Sequence, residues 1–277
     1  MVHVLSTHLF VNHRLTTATL SRIQAAGISA VEIFCARQHL DYRNKSQIQE
    51  LAHWFRDSDL TLHSLHLPMY DDEYWGRSGP HATLNIADQT KTTRIRTVDE
   101  IKRALEIAEL IPLKYAVQHL GSPEQEFSDW AVDTAFISLD ELRSFGKQRK
   151  VEILLENIPN GLSSAERLHY FQGVTHLDLG YVFDTGHANL GAGVEHEFEI
   201  MKDRIRSLHV HDNDGKQDQH LFPMVAEGGT VDWKRTMQLL RSRQDQYPLL
   251  LELKEVPGIQ HPLEQVKLVF ERLEACE

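Results

Sequence analysis

Short aliphatic and β-branched runs recur eight times along this chain, and after each comes a stretch with helical periodicity. The runs are Val2–Phe10, Ala30–Cys35, Thr61–Leu67, Tyr115–Leu120, Val151–Asn157, Tyr181–Asp184, Ser207–His211 and Leu249–Leu253. The helical stretches are Thr17–Ala26, Ser46–Asp57, Val98–Leu110, Trp130–Phe145, Ser163–Phe171, Glu195–Ile205, Trp233–Leu240 and Leu263–Leu273. Ser46–Asp57 shows the pattern well, with Ile48, Leu51, Trp54 and Phe55 on one face. Gly27 stands just past the first helix, where a left-handed cap residue is wanted. A strand followed by a helix must cross over before the next strand, so the strands pair in parallel. Eight such units predict an α/β fold, a single (β/α)8 TIM barrel spanning 1–277 as one domain. No linker rich in proline or glycine and no low-complexity segment divides the chain.

The ends of the runs carry the chemistry. The third run, LHSLHLP, ends at His66, and parity places His63 on the opposite, helix-facing side. The fourth ends at His119, the fifth at Glu156-Asn157, and the sixth at Asp184 with His187 three residues on. The seventh, SLHVHDND, offers His209 and His211, which share parity. The next loop holds Asp218-Gln-His220 and a Gly228-Gly229 pair, and the eighth run contributes Glu252. A carboxylate at the end of a buried strand is costly unless a cation or hydrogen-bond donor meets it. In a parallel barrel all strand C-termini share one face, so these groups would converge there. Lys254 is the one basic residue next to them in sequence, so an ordinary ion-pair network does not account for the set.

The balance of 29 Lys and Arg against 40 Asp and Glu leaves a net charge of −11, which argues against nucleic acid as partner. Arg37, Arg43 and Lys45, after the second strand, form the one basic stretch and read as a solvated helix start. Two cysteines, Cys35 and Cys276, with no signal peptide, suit a reducing cytoplasm. No apolar run approaches the roughly 18 residues of a membrane span. The connection 68–96, with Tyr70, Tyr74, Trp75, Gly76, Arg77, Gly79 and Pro80, is long enough to be a lid. Arg77 and Lys254 are spare cations available to a substrate phosphate or carboxylate.

The stretches His66-Leu-Pro, His119-Leu-Gly-Ser, Glu156-Asn, Asp184-Thr-Gly-His187, His209-Val-His-Asp, Asp218-Gln-His220 and Leu251-Glu252 occur in the order of a known set of motifs. With them the whole chain resembles the xylose isomerase-like barrels, which include sugar isomerases, epimerases and the type IV AP endonucleases. The resemblance implies three metal positions. His66, His119 and Glu156 form the first. Glu156, Asp184, His209 and Glu252 form the second, with Glu156 bridging. His187, Asp218 and His220 form the third. The motif selects His209 over His211. The cofactor implied is a divalent metal ion, Zn, Mn or Fe, at one to three per chain, since nitrogen and oxygen donors without thiolate suit these ions.

Two activities follow from the resemblance. An isomerase or epimerase would move a proton through an enediolate of a small sugar or sugar phosphate, with Glu156 and Glu252 as the acid–base pair and His187 on a substrate oxygen. A multinuclear-zinc phosphoesterase would instead need all nine residues as ligands. The acidic stretch MYDDEYWGRSGPH, where a DNA backbone would pass, favours the small substrate. A non-catalytic barrel with a structural metal is a further alternative, opposed by ligands spread over the active face. Family members include homo-oligomers, so self-association is compatible with the resemblance.

Overall fold

The computed structural model describes residues 1–74, 77, 82–255 and 258–276. Eight parallel strands form the barrel: β1 (His3–Ser6), β2 (Ala30–Phe34), β3 (Thr61–His66), β4 (Tyr115–Gln118), β5 (Glu152–Glu156), β6 (Gly180–Asp184), β7 (Ile205–His209) and β8 (Leu249–Leu251). Hydrogen-bonded neighbours run β7-β6-β5-β4-β3-β2-β1-β8. The ring closes where the Val210 amide donates to the Leu250 carbonyl at 2.9 Å and the Glu252 amide to the Val210 carbonyl at 3.2 Å.

Helices wrap the outside: α1 (Thr17–Ala25), α2 (Lys45–Arg56), α3 (Lys91–Leu105), α4 (Asp129–Gln148), α5 (Ala165–Thr175), α6 (Thr185–Leu190), α7 (Val194–Met201), α8 (Trp233–Arg241) and α9 (Pro262–Ala275). Side-chain oxygens of Thr16, Asn44, Ser128, Ser164 and Asp232 cap helix starts by accepting backbone amides. Gly27 has φ +84°, as a residue just past α1 requires.

Strand parity sorts the core. Val31, Ile33, Leu65, Leu155, Phe183 and Leu251 point outward into the main apolar layer with Leu51, Ile101, Leu139, Leu168 and Phe198. Each such buried side chain contributes roughly 1.5–3 kcal/mol. Of three smaller clusters apart from that layer, two lie within the strands, Val4 with Ala30 and Leu250, and Tyr115 with Val117, Leu154 and Val182. Their residues alternate with the outward set and plug the barrel interior, leaving polar groups to fill its upper end.

Several boundaries differ from expectation. The first strand stops at Ser6, because Thr7–Phe10 coil into a 3-10 turn whose start is capped by the Ser6 hydroxyl. The seventh strand runs Ile205–His209, ending two residues before His211. The third helix begins at Lys91 and passes into a 3-10 turn at Glu106–Glu109. α6 was not foreseen. Its first turn is set by Asp184, whose Oδ1 accepts the His187 amide at 2.6 Å. His63 does not face the helices. Val31 pairs with Leu62 and Glu32 with Ser64, so His63 is an extra residue in a bulge. The bulge turns it inward, and its Nε2 lies 3.1 Å from Ser207 Oγ on the non-adjacent strand β7.

The expected lid shares its last residues with α3, and Tyr70 bridges Thr83 within it. Trp75, Gly76, Gly79 and Pro80 lie outside the described residues. Arg43 is exposed just before α2, as expected of a solvated helix start, but its Nε also donates to the buried carboxylate of Glu100 at 2.6 Å. No described helix is long and apolar enough to cross a membrane.

Candidate metal centre and active site

All nine residues singled out from the sequence meet at the C-terminal face of the barrel. Glu156 is the hub. Its Oε2 lies 3.0 Å from His119 Nε2 and 3.4 Å from His66 Nε2. Its Oε1 lies 3.0 Å from His209 Nδ1 and 3.3 Å from His187 Nδ1. His209 Nδ1 is also 3.3 Å from Glu252 Oε2 and 3.9 Å from Asp184 Oδ2. On the far side, Asp218 Oδ2 lies 3.0 Å from His220 Nε2 and 3.6 Å from His187 Nε2.

Backbone carbonyls orient several of these rings. His66 Nδ1–H donates to Leu67 O at 3.1 Å, His187 Nδ1–H to Asn157 O at 3.0 Å, and His220 Nδ1–H to Glu252 O at 3.0 Å. In each ring Nε2 is then left to face a carboxylate, that of Glu156 for His66 and that of Asp218 for His187 and His220, although His187 Nδ1 also lies 3.3 Å from Glu156. Asn157 adds a second support, since its side-chain nitrogen donates to Glu197 and to the Asp184 carbonyl, while its oxygen accepts the Asp184 amide.

Among the described residues, donor atoms fall into four groups, each within 4.8 Å of one another. Two are the sets expected for the first and second positions: His66, His119 and Glu156, and then Glu156, Asp184, His209 and Glu252. The third expected set gains a member, becoming His187, His211, Asp218 and His220. The fourth group, His8 with His220 and Glu252, was not anticipated. Thus His209 and His211 both face inward, but into different groups. His211 Nε2 lies 3.1 Å from Asp184, and its ring stacks on His220 at 3.9 Å.

Two glycines make room for this arrangement. A Cβ on Gly186 would sit 2.0 Å from the His211 ring, which explains the glycine between Asp184 and His187. A Cβ on Gly229 would sit 2.3 Å from the Asp212 carboxylate, which accepts from the amides of Thr230 and Val231 and from Trp233 Nε1.

The electrostatics are those of a cation site. Glu156, Asp184 and Glu252 are at most 2% exposed. Among the described residues no Lys or Arg forms an ion pair with any of them; imidazoles are their charged neighbours. Burial raises the Glu156 carboxyl, but His209 and His119 outweigh it and hold it well below the usual range. Burial lowers the His209 imidazole, but Glu252, Glu32 and Glu156 outweigh that and hold it well above its ordinary value. Burial pushes the Glu252 carboxyl up to about 7, against the pull of His209. Three buried carboxylates around one imidazole are unfavourable without a compensating cation. A divalent ion fits both the charge and the oxygen–nitrogen donor set.

Beside the cluster lies a cavity of about 240 Å³, with Glu156, Glu252, His66, His119, His187 and Asp218 on its wall. Phe34, Met69, Tyr70, Ile158 and Pro159 supply an apolar side, and Lys254 stands at its edge. The Lys254 ammonium approaches the Asp218 carbonyl at 3.4 Å. Arg77 is elsewhere, with its guanidinium over the Tyr74 ring.

Glu32 and His8 escaped the sequence reading. Glu32 carried a usable signal, a carboxylate in the middle of the apolar run AVEIF. His8 was hidden because its strand was expected to continue to Phe10.

Residues 20–276 match a family profile described as xylose isomerase-like TIM barrel. The uncharacterized protein MJ1311 of Methanocaldococcus jannaschii is 26% identical over 224 residues, 76% of this chain and 70% of that protein. A solved D-tagatose 3-epimerase-like protein superposes with a TM-score of 0.77 at 24% identity, over 99% of this chain and 97% of the other. The 3-keto-D-glucoside 4-epimerase YcjR from E. coli does so with a TM-score of 0.75 at 15% identity, over the full length of both. At these identities the superpositions establish a common fold.

Proposed function

The chain belongs to the xylose isomerase-like TIM barrel family, and from that premise we propose that it is a divalent-metal-dependent isomerase or epimerase of a small sugar or sugar phosphate. The observation that carries the reading is the convergence of Glu156, Asp184, His209 and Glu252, with Glu156 and Glu252 reaching the wall of a cavity sized for a small molecule. Sugar epimerases among the proteins of the same fold support it. The cavity also argues against a purely structural ion, because a structural site is normally closed by protein ligands.

Glu156, Asp184, His209 and Glu252 would hold the ion, which supplies Lewis acidity toward a carbonyl and its neighbouring hydroxyl. The protein's own groups do the rest. Glu156 and Glu252 both approach His209 Nδ1, both line the cavity, and take and return the proton on the carbon next to the carbonyl. His187, tethered through Nδ1 to Asn157, presents Nε2 to a substrate oxygen. The apolar wall of Phe34, Met69 and Ile158 limits water around the reacting carbon.

Incorporation of solvent deuterium into a panel of ketoses, aldoses and their phosphates tests this directly. Exchange into at least one sugar is expected, and a blank panel with a fully metallated sample would remove the isomerase reading.

A second reading, a multinuclear phosphoesterase, is favoured by one observation: the groups His66, His119, Glu156 and His187, His211, Asp218, His220 flank the central set. Two or three ions per chain by elemental analysis, with hydrolysis of a small phosphodiester, would favour it. Cleavage of an abasic duplex would be its nucleic-acid form. The basic residues that could track a backbone are engaged: Arg37 lies 3.7 Å from Asp41 and 3.8 Å from Glu73, and Arg43 pairs with Glu100.

A further inference from the structure

Glu32 is a fully buried carboxylate in the middle of β2, one layer below the candidate metal centre. Such a group persists only where donors meet it. Two do. Ser64 Oγ donates to Oε2 at 2.8 Å, and His209 Nε2 lies 3.1 Å from Oε1 and 3.2 Å from Oε2. The β3 bulge makes the first contact possible, because it brings Ser64 into register with Glu32.

His209 is therefore gripped from below and aimed upward. Its Nδ1 lies 3.0 Å from Glu156 and 3.3 Å from Glu252. The rings of His66, His187 and His220 are oriented the opposite way round, by Nδ1–H bonds to backbone carbonyls. His209 is oriented instead by a side-chain carboxylate through Nε2. A carboxylate accepting the second N–H of a ligating imidazole sets the tautomer and makes the ring a stronger donor.

We infer that Glu32 is a positioning residue for the metal centre: it accepts His209 Nε2–H, reserving Nδ1 for the ion, with Ser64 holding the carboxylate in place. This inference rests on the metal-dependent reading above. Its test is metal binding itself. Zinc affinity of metal-stripped protein is measured by chelator competition, and the cobalt-substituted protein gives a visible ligand-field spectrum. Glu32→Gln, which keeps the shape and removes the charge, is expected to weaken zinc binding about 10- to 100-fold and to alter the cobalt spectrum. Ser64→Ala, the milder change, is expected to weaken zinc binding several-fold, and it carries the test if Glu32→Gln fails to fold.

A purely structural role would lower the melting temperature of the variants while leaving affinity and spectrum at wild-type values, and that result overturns the inference. A ¹¹³Cd-substituted, ¹⁵N-histidine-labelled sample gives a second readout. Scalar coupling to His209 Nδ1 is expected, and coupling to Nε2 overturns the inference. The two readings fail separately. Wild-type protein that binds no zinc defeats the metal reading, whereas tight wild-type binding with unchanged variants defeats only the role of Glu32.

Discussion

Glu156→Gln tests the cation argument through stability as well as activity. Glu156 is fully buried and within 3.4 Å of four imidazoles, those of His66, His119, His187 and His209. The substitution keeps its volume but removes the charge shared by two of the donor groups. An ion that binds only the folded state stabilises it by about 2.7 kcal/mol at a free concentration 100 times its dissociation constant. For a chain of this size that is a rise in melting temperature of roughly 5–10 °C. Removing a direct charged ligand should weaken binding at least as much as losing an outer-shell partner, so by about 100-fold. At the same ion concentration the variant then gains only about 0.4 kcal/mol, or roughly 1 °C. The assay is a thermal melt of metal-stripped wild type and variant against rising zinc or manganese, with metal content measured in parallel. An equal zinc-induced shift in both proteins would refute the claim that Glu156 faces a bound ion. No shift in the wild type would refute the ion itself.

His220→Ala should reduce isomerase turnover and leave the central ion in place; loss of all activity together with one of several ions would instead favour the phosphoesterase, and metal analysis beside the turnover assay separates them. Gly186→Ala places a methyl 2.0 Å from the His211 ring, so a loss of roughly 1–3 kcal/mol is expected, read as a lower denaturant midpoint; full stability would mean that the ring does not lie where described. Stability should also fall in acid through His39, a fully buried residue that belongs to none of the donor groups, whose imidazole burial lowers to about 4 against the help of the His13 and Phe10 carbonyls. Because the folded value lies below that of the unfolded chain, stability is intact above about pH 6.5 and declines as the pH drops toward 4, by about 2 kcal/mol at pH 5. Denaturant titrations of wild type and His39→Gln at pH 7.5 and 5 check this, and equal acid sensitivity in the two would remove the assignment.

The barrel and most of its site were legible because both follow from chain-local rules. Alternation of strand and helix sets parallel pairing, and parallel pairing puts every strand end on one face. That is enough to gather His66, His119, Glu156, Asp184, His187, His209, Asp218, His220 and Glu252 at one face. Boundaries were less legible where a side chain competes with the ladder. Ser6 caps a 3-10 turn and ends β1, and Asp184 starts α6 by accepting the His187 amide.

What the tertiary structure alone decided is register and reach. Parity along β3 put His63 outside, but pairing with β2 inserted a bulge and turned it in. Parity along the seventh run could not separate His209 from His211. Their partners did, Glu156 and Glu252 for the one, Asp184 and the His220 ring for the other. Glu32 meets His209 across 177 residues of chain. Local residue patterns state which way a side chain points from its own strand; which atom waits there depends on how distant strands align, and that is a property of the closed barrel.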